Sequence, residues 1–309
     1  MEKIYDIIII GQGIAGLTAG LYARRAGADV LILEKNTVGG QAGLTYEIGN
    51  YPGFENISGF ELVMNIEKQI KNLGVEMLRA EVLKIEDGEI KKVISKDNIY
   101  LCKAVILCLG ASPRKLGIEN EIKFSGRGVS YCAVCDGAFF RNKNVAVVGR
   151  GNTATEDASY LANIANKVYI INRKDDLKSQ DILIQRVKEA EEKGKIEMLN
   201  RCEVVDILGE NKVEELILKN NKTNENFSLQ VDGIFVAIGR VADTDFVKDL
   251  VNLDENGYII VDEHKQTNVK GIYSAGDCTN TVLRQIITSA SDGAIASTSA
   301  CEYIKGIKC

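Results

Sequence analysis

The sequence of 309 residues is poor in the groups that many hydrolytic and metal chemistries need. It holds one histidine, His264, which excludes a His-rich metal site and leaves a single residue for any Ser-His-Asp triad. His264 lies in the polar run DEHKQTN and is expected in an exposed loop. No stretch approaches the roughly 18 apolar residues of a membrane span. The apolar N-terminus, MEKIYDIIIIGQGIAG, is interrupted by Asp6 and runs into glycines, so it reads as a buried strand feeding a turn and not as a signal peptide. A cytoplasmic protein is expected. Positive charge is not in excess: 38 Lys and Arg stand against 43 Asp and Glu, net −5, which disfavours attachment to nucleic acid through bulk charge. The eight cysteines (102, 108, 132, 135, 202, 278, 301 and 309) are too few and too irregular for a secreted disulfide scaffold.

The length fits two domains, and 45% apolar with 26% charged residues is ordinary for a soluble globular chain. The first segment reads strand (5–10), glycine turn, helix (17–27), strand (28–34). The turn is Gly11-Gln-Gly13-Ile-Ala-Gly16. In this setting Gly11 allows the tight turn, Gly13 lets a pyrophosphate approach the backbone, and Gly16 lets helix and strand pack closely. The helix N-terminus offers N–H groups and a positive dipole to phosphates. Glu34, ending the second strand, suits a ribose diol, as in FAD or NAD, and disfavours a 2′-phosphate. A second unit of the same kind follows at 144–172, with the turn Gly149-Arg150-Gly151-Asn-Thr-Ala154. Strand-like runs at 232–239, 257–262 and 271–277 precede a helical stretch from about Arg284 to Ile304.

Cys132-Ala-Val-Cys135 is the one closely spaced cysteine pair, and Asp136 follows it. The spacing suits a disulfide that opens and closes. Half of a zinc site and a pair of inert buried thiols are the other readings, but zinc lacks a second CxxC. Asp136 is placed to move a proton during exchange or to cap a helix. The remaining cysteines read as structural, with Cys301 and Cys309 either pairing or lying in a loose tail. Lys91-Lys92, Arg24-Arg25 and Arg141-Asn-Lys143 read as solvated faces. A dithiol needs an electron source, which a bound flavin can supply.

These motifs, with Gly39-Gly40-Gln41, Tyr46 to Phe54, Cys108-Leu-Gly110-Ala with Pro113-Arg114, Gly271 to Asp277, and Arg284-Gln285, closely resemble the low-molecular-weight thioredoxin reductases along nearly the whole chain. The resemblance implies an α/β fold of two Rossmann-like domains, three-layer and nucleotide-binding, the second inserted into the first. Residues 1–114 and 244–309 would form the FAD domain, and 115–243 the inserted domain with the redox disulfide. It implies a homodimer and thioredoxin as partner. Carried over by position, the FAD contacts are Gly11, Gly13, Ile14, Ala15, Gly16, Glu34, Lys35, Gly40, Gln41, Asn50, Val82, Gly110, Asp277, Arg284, Gln285 and Ile286. Asp277 resembles the residue that meets the ribityl chain. Cys135 resembles the sulfur nearest the flavin, Cys132 the one that attacks thioredoxin, and Asp136 the acid–base residue.

The inserted domain departs from the family's NADPH pattern. Arg150 replaces the middle glycine of the second turn, where it is expected to crowd a pyrophosphate. The family's His-Arg-Arg-x-x-x-Arg becomes Asn172-Arg173-Lys174 with Lys178, exchanging planar forks for point charges. Val241-Ala242 stands where a proline is usual. This pattern resembles the clostridial-type branch whose flavin is reduced by ferredoxin, the preferred donor on sequence alone. An ordinary NADPH enzyme is the alternative. A glutaredoxin-like acceptor and a flavin-holding sensor without turnover are further readings.

Overall fold

The computed structural model describes residues 3–45 and 48–307. Tyr46 and the suggested partner of Cys301, Cys309, lie outside the described residues. The chain divides into two units, one formed by residues up to Ser112 together with those from Val241 onward, the other by Pro113–Arg240. The changes of unit fall slightly before the expected cuts at 114/115 and 243/244. The two crossings, Ala111–Pro113 and Arg240–Ala242, pair as a short ladder, and the division runs through it.

The first unit is built on a parallel sheet. Strand Ile4–Ile10 pairs with Val30–Glu34 on one side and Ile99–Leu107 on the other; Glu76–Arg79 and Ile272–Ser274 extend it. The unbroken run of isoleucines follows from burial on both faces. Ile7 and Ile9 pack with Leu17, Ala23 and Ala300, whereas Ile8 and Ile10 pack with Leu31, Leu33 and Val105. Each such side chain contributes about 1.5–3 kcal/mol on burial. Strands Val82–Glu86 and Lys91–Ser95 add an antiparallel extension on the first half of Ile99–Leu107.

Helix Ile14–Arg25 begins earlier than the expected 17–27 and stops before Gly27, at the end of its small-residue face. That face meets the C-terminal helix Ile286–Ile307, where a side chain on Gly293 would come within 2.2 Å of the Ala15 carbonyl oxygen. No helix of the described residues is long and apolar enough to cross a membrane.

Two expectations fail here. The run 257–262 forms no strand, only isolated bridges at Ile259. Its backbone groups are taken by loops: Ile260 donates to Asn252, Val261 to the Asn280 side chain and Asp262 to Gln266. Lys91 is not solvated but 1% exposed, because alternate residues of its strand, Lys91, Val93 and Ser95, face inward. Its ammonium meets Asp87 at 3.1 Å and the Gly88 carbonyl at 3.2 Å. Lys92 faces outward, toward Glu86. Arg24 is also committed, donating to the Leu73 and Ala28 carbonyls.

The second unit has its own parallel sheet, in the order Ile196–Asn200, Lys167–Asn172, Asn144–Val148, Gly233–Val236, Val129–Ser130. An antiparallel sheet of Cys202–Leu208, Glu215–Asn220 and Asn226–Gln230 joins it. Phe124, Val148, Ile207 and Leu218 fill the space between these layers. Helix Asn152–Ala162 packs Ala154, Ala158 and Leu161 on the other face of the parallel sheet.

Two stability results follow. Gly293→Ala should destabilise the protein by about 1–3 kcal/mol, the usual range for overpacking, and an unchanged urea midpoint would show that the two helices separate freely. Burial pushes Asp157 of helix Asn152–Ala162 up to about 7; Glu156 adds to the shift and Arg240 opposes it. The folded state therefore holds a proton that the unfolded chain releases near pH 4, and this contribution to stability is lost as pH rises from about 4 to about 7. The melting temperature of Asp157→Asn minus that of the wild type should grow between pH 4 and pH 8; a constant difference would refute the shift.

Candidate active site

Strand Val129–Ser130 delivers the chain to Cys132, which caps the one-turn helix Ala133–Asp136. Buried Ala133 and Phe140 anchor this segment in the core of the second unit. Cys132 and Cys135 form a disulfide, with Cα atoms 5.3 Å apart. The Cys135 N–H donates to the Cys132 sulfur at 3.2 Å, so a backbone dipole points at an atom where it would favour negative charge. The Asp136 side chain makes no cap bond to the following turn. Its carboxylate instead accepts from the Ser130 hydroxyl at 2.6 Å, and the Ser130 oxygen accepts from the Cys132 N–H at 3.1 Å. Ser130 is 5% exposed. It thus ties the first cysteine and the carboxylate to one buried oxygen.

Sequence reasoning passed over Ser130, because a serine two residues before a cysteine has no motif. It also passed over Glu121, a 1%-exposed carboxylate that accepts from the Leu116 and Gly117 N–H groups and from the Tyr131 hydroxyl. Burial, then Glu121, push the Tyr131 phenol up, so it stays protonated as a donor beside Cys132. Cys102, Cys108, Cys202, Cys278 and Cys301 are buried free thiols. Desolvation raises all five, Cys102 to about 12, and holds them out of exchange chemistry. His264 is exposed in its turn, as expected.

The residues expected around FAD all fall in the first unit. A side chain on Gly16 would strike the Gly11 carbonyl oxygen at 1.9 Å, whereas beside Gly13 nothing lies within 4 Å. The turn is therefore closed on its inner side and open on its outer side, where a phosphate would sit. Ile14 and Ala15, both buried, begin the helix whose N-terminus faces that space. Glu34 accepts from the Gln12 and Asn36 N–H groups at 2.8 and 2.7 Å, one bond to each oxygen, which leaves lone pairs for a diol. It lines a cavity of about 340 Å³ with Gln12, Asn36, Lys71 and Arg79. Lys35 turns onto Asp243 instead. Gly40 and Gly110 hold positive φ. Asn50 donates to Gln285 at 3.0 Å, joining two expected contacts that are 235 residues apart. Arg284 stacks on Tyr258, 3.9 Å from the ring centre, and donates to the Asp277 and Thr279 carbonyls. Asp277 accepts from Ser289. Gln41 lies exposed in the short helix Gly40–Gly43, Val82 opens strand Val82–Glu86, and Ile286 begins the last helix.

At the second turn the cavity is larger, about 640 Å³, lined by Gly149, Arg150, Gly151, Asn172, Arg173 and Lys174 among others. Arg150 adopts no left-handed backbone, and its guanidinium reaches Asp176 at 3.5 Å. The loop after strand Lys167–Asn172 is laced to the turn. Lys178 N–H donates to the Arg150 carbonyl at 2.7 Å, and the Ser179 hydroxyl and Gln180 N–H donate to the Asn152 side chain. Asn172 is buried and spends its amide on Asp176 and Lys174 backbone groups. Lys178 is exposed.

Residues 5–293 match the family of pyridine nucleotide-disulphide oxidoreductases. A thioredoxin reductase of Listeria innocua is 42% identical over 99% of this chain and 96% of its own length. The crystal structure of Lactococcus lactis thioredoxin reductase, in its FR conformation, is similar with a TM-score of 0.92 and 42% identity, covering 98% of this chain and 99% of that one. A ferredoxin-flavin thioredoxin reductase from Clostridium acetobutylicum is similar at 30% identity with a TM-score of 0.55, covering 99% of this chain and 100% of that one. Similarity of this extent, running through both glycine turns and the cysteine pair, makes the chain a member of the pyridine nucleotide-disulphide oxidoreductase family and, within it, a flavoprotein of the low-molecular-weight thioredoxin reductase type.

Proposed function

We propose that this protein is a homodimeric, FAD-dependent reductase that takes electrons from NADPH and passes them through Cys132–Cys135 to thioredoxin. The observation that carries the donor is the open cavity at the second turn, with Arg150 drawn aside to Asp176 and Arg173 and Lys174 at its rim. The crowding expected of Arg150 would have favoured ferredoxin; the pairing of its guanidinium with Asp176 supports the NADPH reading instead. FAD, when bound, supplies a two-electron relay between nucleotide and disulfide. Gly13 leaves room for its pyrophosphate and Glu34 accepts from its ribose. The Gly11–Gly16 turn, Gly40, Asn50, Asp277, Arg284 and Gln285 complete its seat.

The chain's own groups carry the exchange. Two electrons and two protons convert the disulfide to Cys132 and Cys135 thiols. The Cys132 thiolate attacks the thioredoxin disulfide, forming a mixed disulfide and releasing one partner thiolate. The Cys135 thiolate then attacks the Cys132 sulfur, which frees reduced thioredoxin and restores the internal disulfide. Asp136, oriented by Ser130, takes the proton from the attacking thiol and returns it to the departing sulfur.

A second reading keeps ferredoxin as donor. It is favoured by buried Asn172, whose amide is already spent and offers a phosphate nothing, and by the likeness to the Clostridium acetobutylicum enzyme. Anaerobic stopped-flow mixing separates the two. NADPH at micromolar concentration should bleach the flavin rapidly and saturably, and bleaching by reduced ferredoxin alone would overturn the NADPH assignment.

The exchange chemistry has its own check. Cys135→Ser should trap thioredoxin on Cys132 as a stable mixed disulfide. Asp136→Asn should slow thioredoxin reduction by roughly 10²-fold or more, with Ser130→Ala losing less. Full turnover in the Cys132→Ser, Cys135→Ser double variant would reject the pair as the exchange site.

A further inference from the structure

Beside the second-turn cavity, Arg201 joins strand Ile196–Asn200 to strand Cys202–Leu208 with φ +58. Only three other non-glycine residues among those described hold positive φ. Two backbone bonds keep it there: its N–H donates to the Lys174 carbonyl at 3.1 Å, and its carbonyl accepts from Asn221 at 2.7 Å. Lys174 and Asn221 both line the cavity. From this position the guanidinium grips Asp175 with two parallel bonds, one of them 2.8 Å from Nη2 to Oδ2. The pair is 45% and 65% exposed, so it adds little to stability. A sparsely populated backbone that supports an exposed ion pair is the pattern of a functional constraint.

The charges explain the constraint. Asp175 and Asp176 follow directly on Arg173 and Lys174, which line the cavity. A phosphate monoester carries about −1.5 to −2 at neutral pH, and two bare carboxylates next in the chain to these residues would repel it. Each is instead matched by an arginine, Asp176 by Arg150 and Asp175 by Arg201. Lys222 and Lys174 also act on Asp175, and Arg201 holds its carboxyl below the usual range, so it stays ionised and bound. Arg173 and Lys174 then set the sign of the rim. We infer that Arg201, by neutralising Asp175, is a specificity-determining residue that fits this cavity to nucleotides carrying a 2′-phosphate. The inference rests on the NADPH reading and deepens it, replacing the family's histidine and arginine forks with a charge balance.

The test uses the FAD-loaded enzyme. Arg201→Gln should raise the NADPH concentration needed for half-maximal flavin bleaching by about tenfold and leave the response to NADH within about twofold. Calorimetric binding of 2′,5′-ADP should weaken in parallel, a readout independent of flavin reduction. Asp175→Asn in the same chain should restore most of both losses, because the unmatched carboxylate is gone. Equal losses for NADPH and NADH, no loss, or no recovery in the double variant would overturn the inference while leaving the donor standing. A wild type that NADPH does not bleach and that does not bind 2′,5′-ADP would remove the donor reading, and this one with it.

Discussion

Close approach of backbone to backbone around helix Ile14–Arg25 is the constraint on which the first unit depends. The Gly11 carbonyl fills the space where Gly16 would carry a side chain, and Ala15 is pressed by Gly276 and Gly293 from the other end of the chain. No larger residue fits at these contacts without displacing backbone. The helix is therefore held between the end of strand Ile4–Ile10 and the helix Ile286–Ile307, and both chain ends are needed to place it. Because Gln12 also binds Glu34, the turn and the carboxylate at the next strand end are set relative to each other before any ligand arrives. Preorganisation of this kind lowers the ordering cost of binding.

The two glycine turns share a backbone plan and differ in how their surroundings are committed. At the first, Glu34 is pinned by two N–H groups and the outer side of Gly13 is open. At the second, a loop is laced over Asn152 and arginines are matched to neighbouring aspartates. The first site relies on shape and a fixed acceptor. The second relies on charges that cancel in pairs, an arrangement more sensitive to ionic strength.

Much of this was legible in the amino-acid order. The Ile7–Ile10 run marked a strand buried on both faces, the glycines marked both turns, and the CxxC marked the Cys132–Cys135 disulfide. These signals are local: a period, a spacing, a missing side chain. Misreadings arose where long-range pairing decides the outcome. The 257–262 run has strand composition but finds loops as partners. Lys91 resembles a surface lysine, yet its place in an alternating strand turns it inward. The partner of Arg150, Asp176, lies on another loop, so where its side chain goes was not legible in the turn itself. Ser130 and Glu121 gave no warning at all, since a buried hydroxyl or carboxylate is defined by what surrounds it.

Burial of the remaining thiols bears on the fate of an electron pair. Five sulfurs among the described residues sit in packed cores with their protons held on by desolvation. A sulfur that cannot ionise does not attack a disulfide, so none of these five competes with a reduced Cys132–Cys135 pair for thiolate chemistry. The same packing that fills the hydrophobic cores thereby acts as insulation. It leaves Cys132–Cys135 as the one exchangeable sulfur pair among the described residues.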